Sequence, residues 1–472
     1  MALIKSISGI RGTIGGQYRS NLTPQDIVEC TAAFGSWVLS KKNSRKAKIV
    51  IGRDARISGA MVSGFVVNTL ISLGIDVVDL GLSTTPTVEI AVTDENADAG
   101  IILTASHNPR EWNALKLLNN KGEFISAEEG ADVLAMIDSE FLVYADVENL
   151  GSYRQDNSYI QKHINKILAL PVVDKDLVKA KNFKVVVDAI NSTGAISIVP
   201  LLEQMGCKVI VINGEMTGHF AHNPEPLPEH LNQLAREVLN QNAHLGISVD
   251  PDVDRLAFVR DDGEMFGEEY TLVAIADYIL KKTPGNTVSN LSSTKALKDV
   301  TEKYGGQYEA AAVGEVNVVT KMKEINAVIG GEGNGGVIYP ALHYGRDALV
   351  GVAIMLTALA EFGKPLSFLR KKYPEYIIAK KKLDLPKGIN VDDLLNSLDD
   401  KYKPIRDCTR NRIDGLKIEF KDGNWIHMRK SNTEPIIRVY AESTSSVIAD
   451  NLIQKINRDI YEILNDNGNG DS

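Results

Sequence analysis

Two short stretches of this chain hold the residues best suited to chemistry. Asp250-Pro251-Asp252-Val253-Asp254-Arg255 places three carboxylates at alternate positions after Ile247-Ser248-Val249. Alternate residues of an extended segment point the same way, so the spacing predicts that Asp250, Asp252 and Asp254 converge on one point. Converging carboxylates repel one another unless a cation joins them. A hard ion such as Mg2+ fits, because it takes a few protein oxygens and completes its shell with water or phosphate. Asp-x-Asp-x-Asp also opens a calcium-binding EF-hand loop. Here, however, Arg255 stands at the glycine position, Asp261 stands at the glutamate position, and a strand precedes the loop.

The second stretch is Thr104-Ala105-Ser106-His107-Asn108-Pro109, a polar loop directly after the apolar run Ile101-Ile102-Leu103. A loop at the end of such a strand lies where open α/β sheets bind ligands. Ser106 is a candidate nucleophile. His107 is its hydrogen-bonding neighbour, and Lys116 is a proton carrier once it sits near a metal and a phosphate. There is no Gly-x-Ser-x-Gly elbow of the hydrolase kind. Two further loops complete the set. Arg429, Lys430, Ser431, Asn432 and Thr433, with Arg438 beyond, offer the hydroxyls, turn amides and guanidinium fork that a phosphate dianion needs. The glycine-rich run Gly330 to Gly336 brings Glu332 and Asn334 to a bend where a sugar could approach the backbone; it lacks the lysine of a nucleotide-binding loop.

These residues need scaffolds, and the chain repeats one. Lys48 to Asp54, Lys184 to Asp188 and Thr287 to Leu291 are apolar runs that stop at polar loops. Each is followed by a helical stretch, a glycine turn and a second run, at Ile75, Lys208 and Tyr308 respectively. Strand, helix, turn and strand is the βαβ pattern of sheets covered by helices. Repeats more than a hundred residues apart predict three related α/β domains with mixed sheets. The last hundred residues alternate differently. Tyr376–Leu383, Gly415–Phe420, Trp425–Arg429 and Ile436–Glu442 read as strands, with a hairpin at Asp422-Gly423 and a helix over Ser446–Leu464. They predict a smaller α+β domain, with a loose tail from Asn465. The expected units are 1–153, 154–257, 258–372 and 373–472.

Composition narrows the partners. The 472 residues carry a net charge of −9, which disfavours nucleic acid as the main partner. Cys30, Cys207 and Cys408 are far apart and show no metal-type spacing, so they read as reduced structural thiols. The apolar stretch Ala348–Ala360 is shorter than the roughly 20 residues a membrane span needs and reads as a buried helix. The N-terminus lacks a signal-peptide core. The expectation is a cytoplasmic protein with no membrane partner.

The four motifs, in this order, resemble those of the α-D-phosphohexomutases along the whole chain. Ser8-Gly9-Ile10-Arg11-Gly12, Gly52-Arg53-Asp54-Ala55-Arg56 with Ser58-Gly59, and Asn223-Pro224-Glu225-Pro226 belong to the same resemblance. It implies a heart-shaped molecule around a central cleft, and an intramolecular phosphotransferase. Ser106 would be carried as phosphoserine, and one Mg2+ would be held by Ser106's phosphate, Asp250, Asp252 and Asp254. Lys116 would transfer protons, assisted by Arg11 and His107. The first unit would hold the phosphoserine loop and the second the metal loop. The third would hold the sugar loop, with Gly314, Glu332 and Asn334 facing substrate beside Arg255. The fourth would hold the non-reacting phosphate through Arg429, Ser431, Asn432, Thr433 and Arg438.

A sugar 1,6-bisphosphate would serve as activator and intermediate, and a hexose phosphate as substrate, with the protein a monomer or homodimer. Many relatives end the sugar loop in Ser-Gly-His, whereas this chain has Asn334-Gly335-Gly336, which resembles archaeal-type mutases. The role of the missing histidine must be absent or fall elsewhere, with His343 one candidate. Asn334 points to glucosamine phosphate, with broad glucose and mannose phosphate specificity as the alternative. A phosphatase using the same serine and a non-catalytic sugar-phosphate binder are the rival classes.

Overall fold

The computed structural model describes residues 3–6, 9–42, 46–137, 142–386, 389–430 and 436–468. The first sheet has seven strands: β1 (Leu3–Ser6), β2 (Gly9–Thr13), β3 (Ala47–Arg53), β4 (Ile75–Leu82), β5 (Ala99–Leu103), β6 (Trp112–Leu118) and β7 (Tyr153–Gln155). Their order is β1-β2-β6-β5-β3-β4-β7. Helices α1 (Pro24–Ser40), α2 (Gly59–Ser72), α3 (Thr85–Asp94) and α4 (Ala127–Ile137) accompany it. Ile49, Val50, Ile51, Ile101 and Ile102 are buried, as strands covered on both faces require. Thr23 and Asp26 form a capping box at the start of α1, with Pro24 just inside it.

The second sheet contains β8 (Lys184–Asp188), β9 (Lys208–Ile212), β10 (Leu245–Val249) and β11 (Leu256–Arg260), in the order β11-β10-β8-β9. It travels with α5 (Tyr159–Leu168), α6 (Lys175–Ala180), α7 (Gly194–Gln204) and α8 (Asn232–Asn240). The third contains β12 (Asn286–Asn290), β13 (Tyr308–Ala311), β14 (Ala327–Glu332) and β15 (Gly336–Ile338), in the order β13-β12-β14-β15. Its helices are α9 (Glu268–Lys282), α10 (Ala296–Lys303), α11 (Glu315–Glu324), α12 (Ala348–Phe362) and α13 (Leu366–Arg370).

These three sheets share one wiring. In each, the first strand of the repeat (β3, β8, β12) lies between the second and the third, parallel to both. The fourth strand (β6, β11, β15) turns back antiparallel on the third. The sequence repeat therefore marks a structural repeat of mixed sheets, and the first sheet adds β1, β2 and β7 at its edges. The serine loop, the aspartate loop and the Gly333–Gly335 turn all occupy the same place, between third and fourth strands.

The fourth sheet, β16 (Ile377–Asp384), β17 (Cys408–Asn411), β18 (Leu416–Phe420), β19 (Trp425–Lys430) and β20 (Ile436–Ser443), is antiparallel throughout. Leucines of α14 (Val391–Tyr402) and isoleucines of α15 (Ser446–Gly468) share its core. It docks on the third unit where His427 Nδ1 meets Ser292 Oγ at 2.9 Å and where the Lys295 amide donates to Glu442 at 3.1 Å.

Several expectations need correcting. The limit at 153 falls inside β7, which pairs with β4, and the limit at 257 falls inside β11. Helix α15 continues past Leu464 to Gly468, into the tail expected to be loose. The stretch from Ala348 is a buried helix as expected, capped by Asp347 and closed by Gly363 at a φ of 69°. Among the described residues no helix is long and apolar enough to cross a membrane.

Candidate active site

The aspartates converge, but not by strand alternation. The chain leaves β10 into a tight turn closed by the Val253 amide on the Asp250 carbonyl at 3.1 Å. Val253 has a φ of 62°, costly for a β-branched residue, and its fully buried side chain holds it there. One oxygen of Asp250 accepts from the amides of Asp254 and Arg255, both at 3.1 Å. The other accepts from Ser106 Oγ at 2.6 Å. Asp252 accepts from Thr85 Oγ1 at 2.6 Å, and the Thr85 amide donates to the Asp252 carbonyl at 2.9 Å. These contacts set the start of α3 against the turn.

Oxygens of the three carboxylates lie within 4.8 Å of one another, and all three residues are buried. Asp252 Oδ1 and Asp254 Oδ1 have no hydrogen-bond partner. Burial, then the charges of Asp254 and Asp252, push the Asp250 carboxyl well above its ordinary range. Orphaned buried oxygens in an all-carboxylate set fit a hard divalent cation.

Ser106 sits at a φ of 50°, which turns its hydroxyl toward Asp250. Its loop is held from below by Arg56. That fully buried guanidinium pairs with Asp54 at 3.0 Å and donates to the carbonyls of Ser106, Asn108, Pro109 and Trp112. Thr104 ties the same Asp54 at 2.6 Å.

Lys116 comes from β6, opposite Ile102. Its Nζ lies 2.7 Å from Asp252 and 3.4 Å from Asp254. Burial alone would lower its pKa, but the two carboxylates outweigh burial and raise it. Arg11, on β2 opposite Ala114, has no ion-pair partner among the described residues, and burial followed by the nearby Arg255 charge lowers its pKa. Arg255 is held by Glu225 at 2.8 Å. Burial, then Arg255, lowers His107 to about 2, so its imidazole is neutral. Its buried Nδ1 has no hydrogen-bond partner.

Glu332 ends β14 and is only 4% exposed. It accepts from Asn290 Nδ2 at 2.9 Å and from the Gly314 amide at 3.1 Å, and pairs with Arg346 at 2.8 Å. Asn334 uses its Oδ1 to accept from the Gly336 amide at 3.2 Å. Arg429 and Arg438 face each other across β19 and β20, with Arg429 Nε buried and without a hydrogen-bond partner among the described residues. No hydrogen bond or ion pair joins them to the aspartate loop or Glu332 among the described residues. Ser431, Asn432 and Thr433 lie outside the described residues.

The sequence matches four models of the phosphoglucomutase/phosphomannomutase family: alpha/beta/alpha domain I over residues 3–142, domain II over 158–263, domain III over 267–376, and the C-terminal domain over 387–458. The chain belongs to this family. It is 32% identical over 462 residues to a probable phosphoglucosamine mutase of Methanopyrus kandleri, covering 97% of this chain and 98% of that protein. It is 33% identical to a phosphoglucomutase/phosphomannomutase of Thermococcus kodakarensis, covering 92% and 94%. A solved phosphoglucomutase/phosphomannomutase family protein from Burkholderia thailandensis superposes with a TM-score of 0.83 at 26% identity, covering 96% of each chain.

In this member of the family, the residue that sequence reasoning missed is Arg346. Its guanidinium reaches Asp254 at 2.8 Å, Glu332 at 2.8 Å and Glu315 at 2.9 Å, and so links the aspartate loop to the glycine-rich turn. A Cβ at Gly336 would lie 2.3 Å from Arg346 Cδ. The space a histidine at 336 would need is therefore filled by this arginine. The signal in the sequence was the bare Gly335-Gly336 pair, which leaves room for another chain segment. His343 does not take that place: it faces Asp347 and Glu89, each at 3.2 Å.

Proposed function

We propose that this chain is a phosphohexomutase. It interconverts a hexose 6-phosphate and the 1-phosphate, glucosamine phosphate foremost, through phosphorylated Ser106 and a sugar 1,6-bisphosphate. The observation that carries this reading is the meeting of Ser106 Oγ, three buried carboxylates and Lys116 Nζ at equivalent loops of neighbouring sheets. The names of the relatives support it. Asp250, Asp252, Asp254 and a phosphate oxygen would hold one Mg2+, which when bound supplies neutralisation of the transferring phosphoryl charge.

A sugar hydroxyl attacks the phosphoserine phosphorus. A bond forms from phosphorus to the sugar oxygen, the bond to Ser106 Oγ breaks, and the hydroxyl proton passes by way of Lys116 to the leaving Ser106 Oγ. The bisphosphate then turns and returns its other phosphoryl group to Ser106, so enzyme and phosphate count are regenerated. Lys116 shares Asp252 and Asp254 with the cation that they bind. A bound cation there would compete for the same carboxylates and would loosen the hold on the Lys116 proton. Arg11, Arg255 and neutral His107 hold phosphoryl oxygens. Gly314, Glu332 and Asn334 meet sugar hydroxyls, and Arg429, Ser431, Asn432, Thr433 and Arg438 cradle the non-reacting phosphate. The reading makes this a cytoplasmic enzyme of small anionic substrates, monomeric or dimeric.

One observation favours a second reading, a mutase of broad hexose specificity. Asn334 Oδ1, the acceptor a substrate ammonium would seek, already serves the Gly336 amide. The test is a ³¹P time course with Mg2+ and a trace of sugar 1,6-bisphosphate on glucosamine, glucose and mannose 1-phosphates in parallel. Faster conversion of the glucosamine ester supports the first reading, and equal rates support the second. The Ser106→Ala variant is expected to lose turnover. Activity near wild type in that variant removes the phosphoserine route.

A further inference from the structure

Behind the aspartate turn, on the far part of α3, three units bring together a second group of ligating side chains. His163 comes from α5, and His343 and Asp347 from the segment before α12. His163 Nε2 lies 2.9 Å and His343 Nε2 3.2 Å from Asp347 Oδ2, and the donor atoms fall within 4.8 Å of one another. We propose that His163, His343 and Asp347 form a second metal site, which takes a late first-row divalent cation such as Zn2+.

The donors suit that ion, since two imidazole nitrogens and one carboxylate oxygen are a usual zinc set. The outward atoms carry the argument further. Metal-bound histidines are oriented through their other ring nitrogen by an outer partner. His163 Nδ1 meets Thr87 Oγ1 at 3.0 Å, and Thr87 is itself held by Thr84 at 2.7 Å. Asp347 Oδ1 accepts from the amides of Leu349 and Val350 at 2.8 and 3.2 Å. The inward atoms of His163 and Asp347 are thereby oriented, while His343 Nδ1 lies 3.2 Å from Glu89 Oε2 without a hydrogen bond between them.

Glu89 supplies the independent observation. It is 1% exposed, and its Oε1 has no hydrogen-bond partner. The loop was shaped to admit it, since a Cβ on Gly345 would stand 1.8 Å from Glu89 Oε2. A cation beside His343 would leave a coordination position for a water or for Glu89. Without the cation, both imidazole Nε2 atoms lie against Asp347 Oδ2. The site would fix the segment carrying Arg346 against α3 and α5, so its role is positional.

The test loads purified full-length protein with Zn2+ under excess Mg2+, desalts it, and measures zinc content and the zinc X-ray absorption spectrum. The expected result is one zinc per chain with the scattering pattern of two imidazoles, and a higher Tm than the untreated protein. His343→Gln, at the partly exposed ligand, and His163→Gln are each expected to lose that zinc and the Tm gain. No retained zinc, an oxygen-only zinc environment (which belongs to the aspartate turn), or imidazole-bound zinc persisting in His343→Gln overturns the proposal. The wild-type spectrum decides even if a variant fails to fold.

Discussion

Replacing Arg56 with methionine tests whether the serine loop is held from beneath. Methionine keeps the apolar stem and removes the guanidinium. Asp54 loses its 3.0 Å partner in a fully buried place, and four backbone carbonyls of the Ser106–Trp112 loop lose a donor. Breaking a buried pair by removing one partner costs about 3–5 kcal/mol. Each unmet carbonyl adds on the order of 1 kcal/mol where water cannot reach it. Two effects limit the total. Burial already raises the Asp54 pKa against the pull of Arg56, so without Arg56 the carboxyl takes up a proton. Water can also enter beside the shorter side chain.

The loss therefore settles at about 3–5 kcal/mol, or roughly two to nearly four powers of ten in the opening equilibrium of the loop. A four-domain chain does not unfold in one step, so the measurement is local: hydrogen exchange of peptides spanning residues 104–112. Protection there should fall by about a hundredfold or more while β18 and β19 stay unchanged. Asp54→Asn combined with Arg56→Met should recover part of the loss, because the buried side chain no longer has to be neutralised by taking up a proton. Unchanged protection in Arg56→Met, or a double variant worse than the sum of the singles, refutes the clamp.

Three further outcomes follow from the geometry. Gly336→His should cost about 1–3 kcal/mol by forcing Arg346 aside; chemical denaturation with sugar-phosphate turnover reads it. Thr85→Val removes the 2.6 Å donor to Asp252 and should weaken Mg2+ binding by about 10–100-fold in calorimetry with the fold intact. At His222, burial opposes the charged form, but the Asp188 carboxylate at 2.8 Å outweighs it and raises the pKa. The imidazolium thus stabilises the fold below the unfolded value near 6.5, and that contribution is lost as pH rises through the higher folded value. Tm should fall across that window in wild type and less steeply in His222→Gln.

The sequence was readable where one kind of residue has one use. Strands of the repeat stood out because buried parallel strands are continuous apolar runs, as in Lys48 to Asp54 and Lys184 to Asp188. Helix α14 was readable too. Val391, Leu394, Leu395, Leu398 and Tyr402 keep helical spacing behind the cap Asn390, and the signal went unused. The aspartates were read to the right destination by the wrong route, since only the strained turn at Val253 shows how they meet. Arg56 sat in a visible motif, but four carbonyls from a loop fifty residues away are a tertiary fact. Arg346 had no local signature at all, because its partners come from three separate elements.

The site is also a consequence of the repeat. The turn from third to fourth strand recurs in three sheets, and each copy carries one component: serine in the first, the aspartates in the second, glutamate and glycines in the third. None of them is complete alone. Ser106 is oriented by Asp250 of the second sheet, Asp252 by Lys116 and Thr85 of the first unit, and Asp254 by Arg346 of the third. Four charge-assisted or hydroxyl–carboxylate contacts thus cross between units within one small volume. The carboxylates at these contacts are buried, so loss of Lys116 or Arg346 leaves negative charge without its partner away from bulk water. Substitutions at unit boundaries should accordingly change activity before they change the fold of any single sheet. The antiparallel fourth sheet docks beside this core through Ser292 and Lys295 and adds no carboxylate to the aspartate cluster.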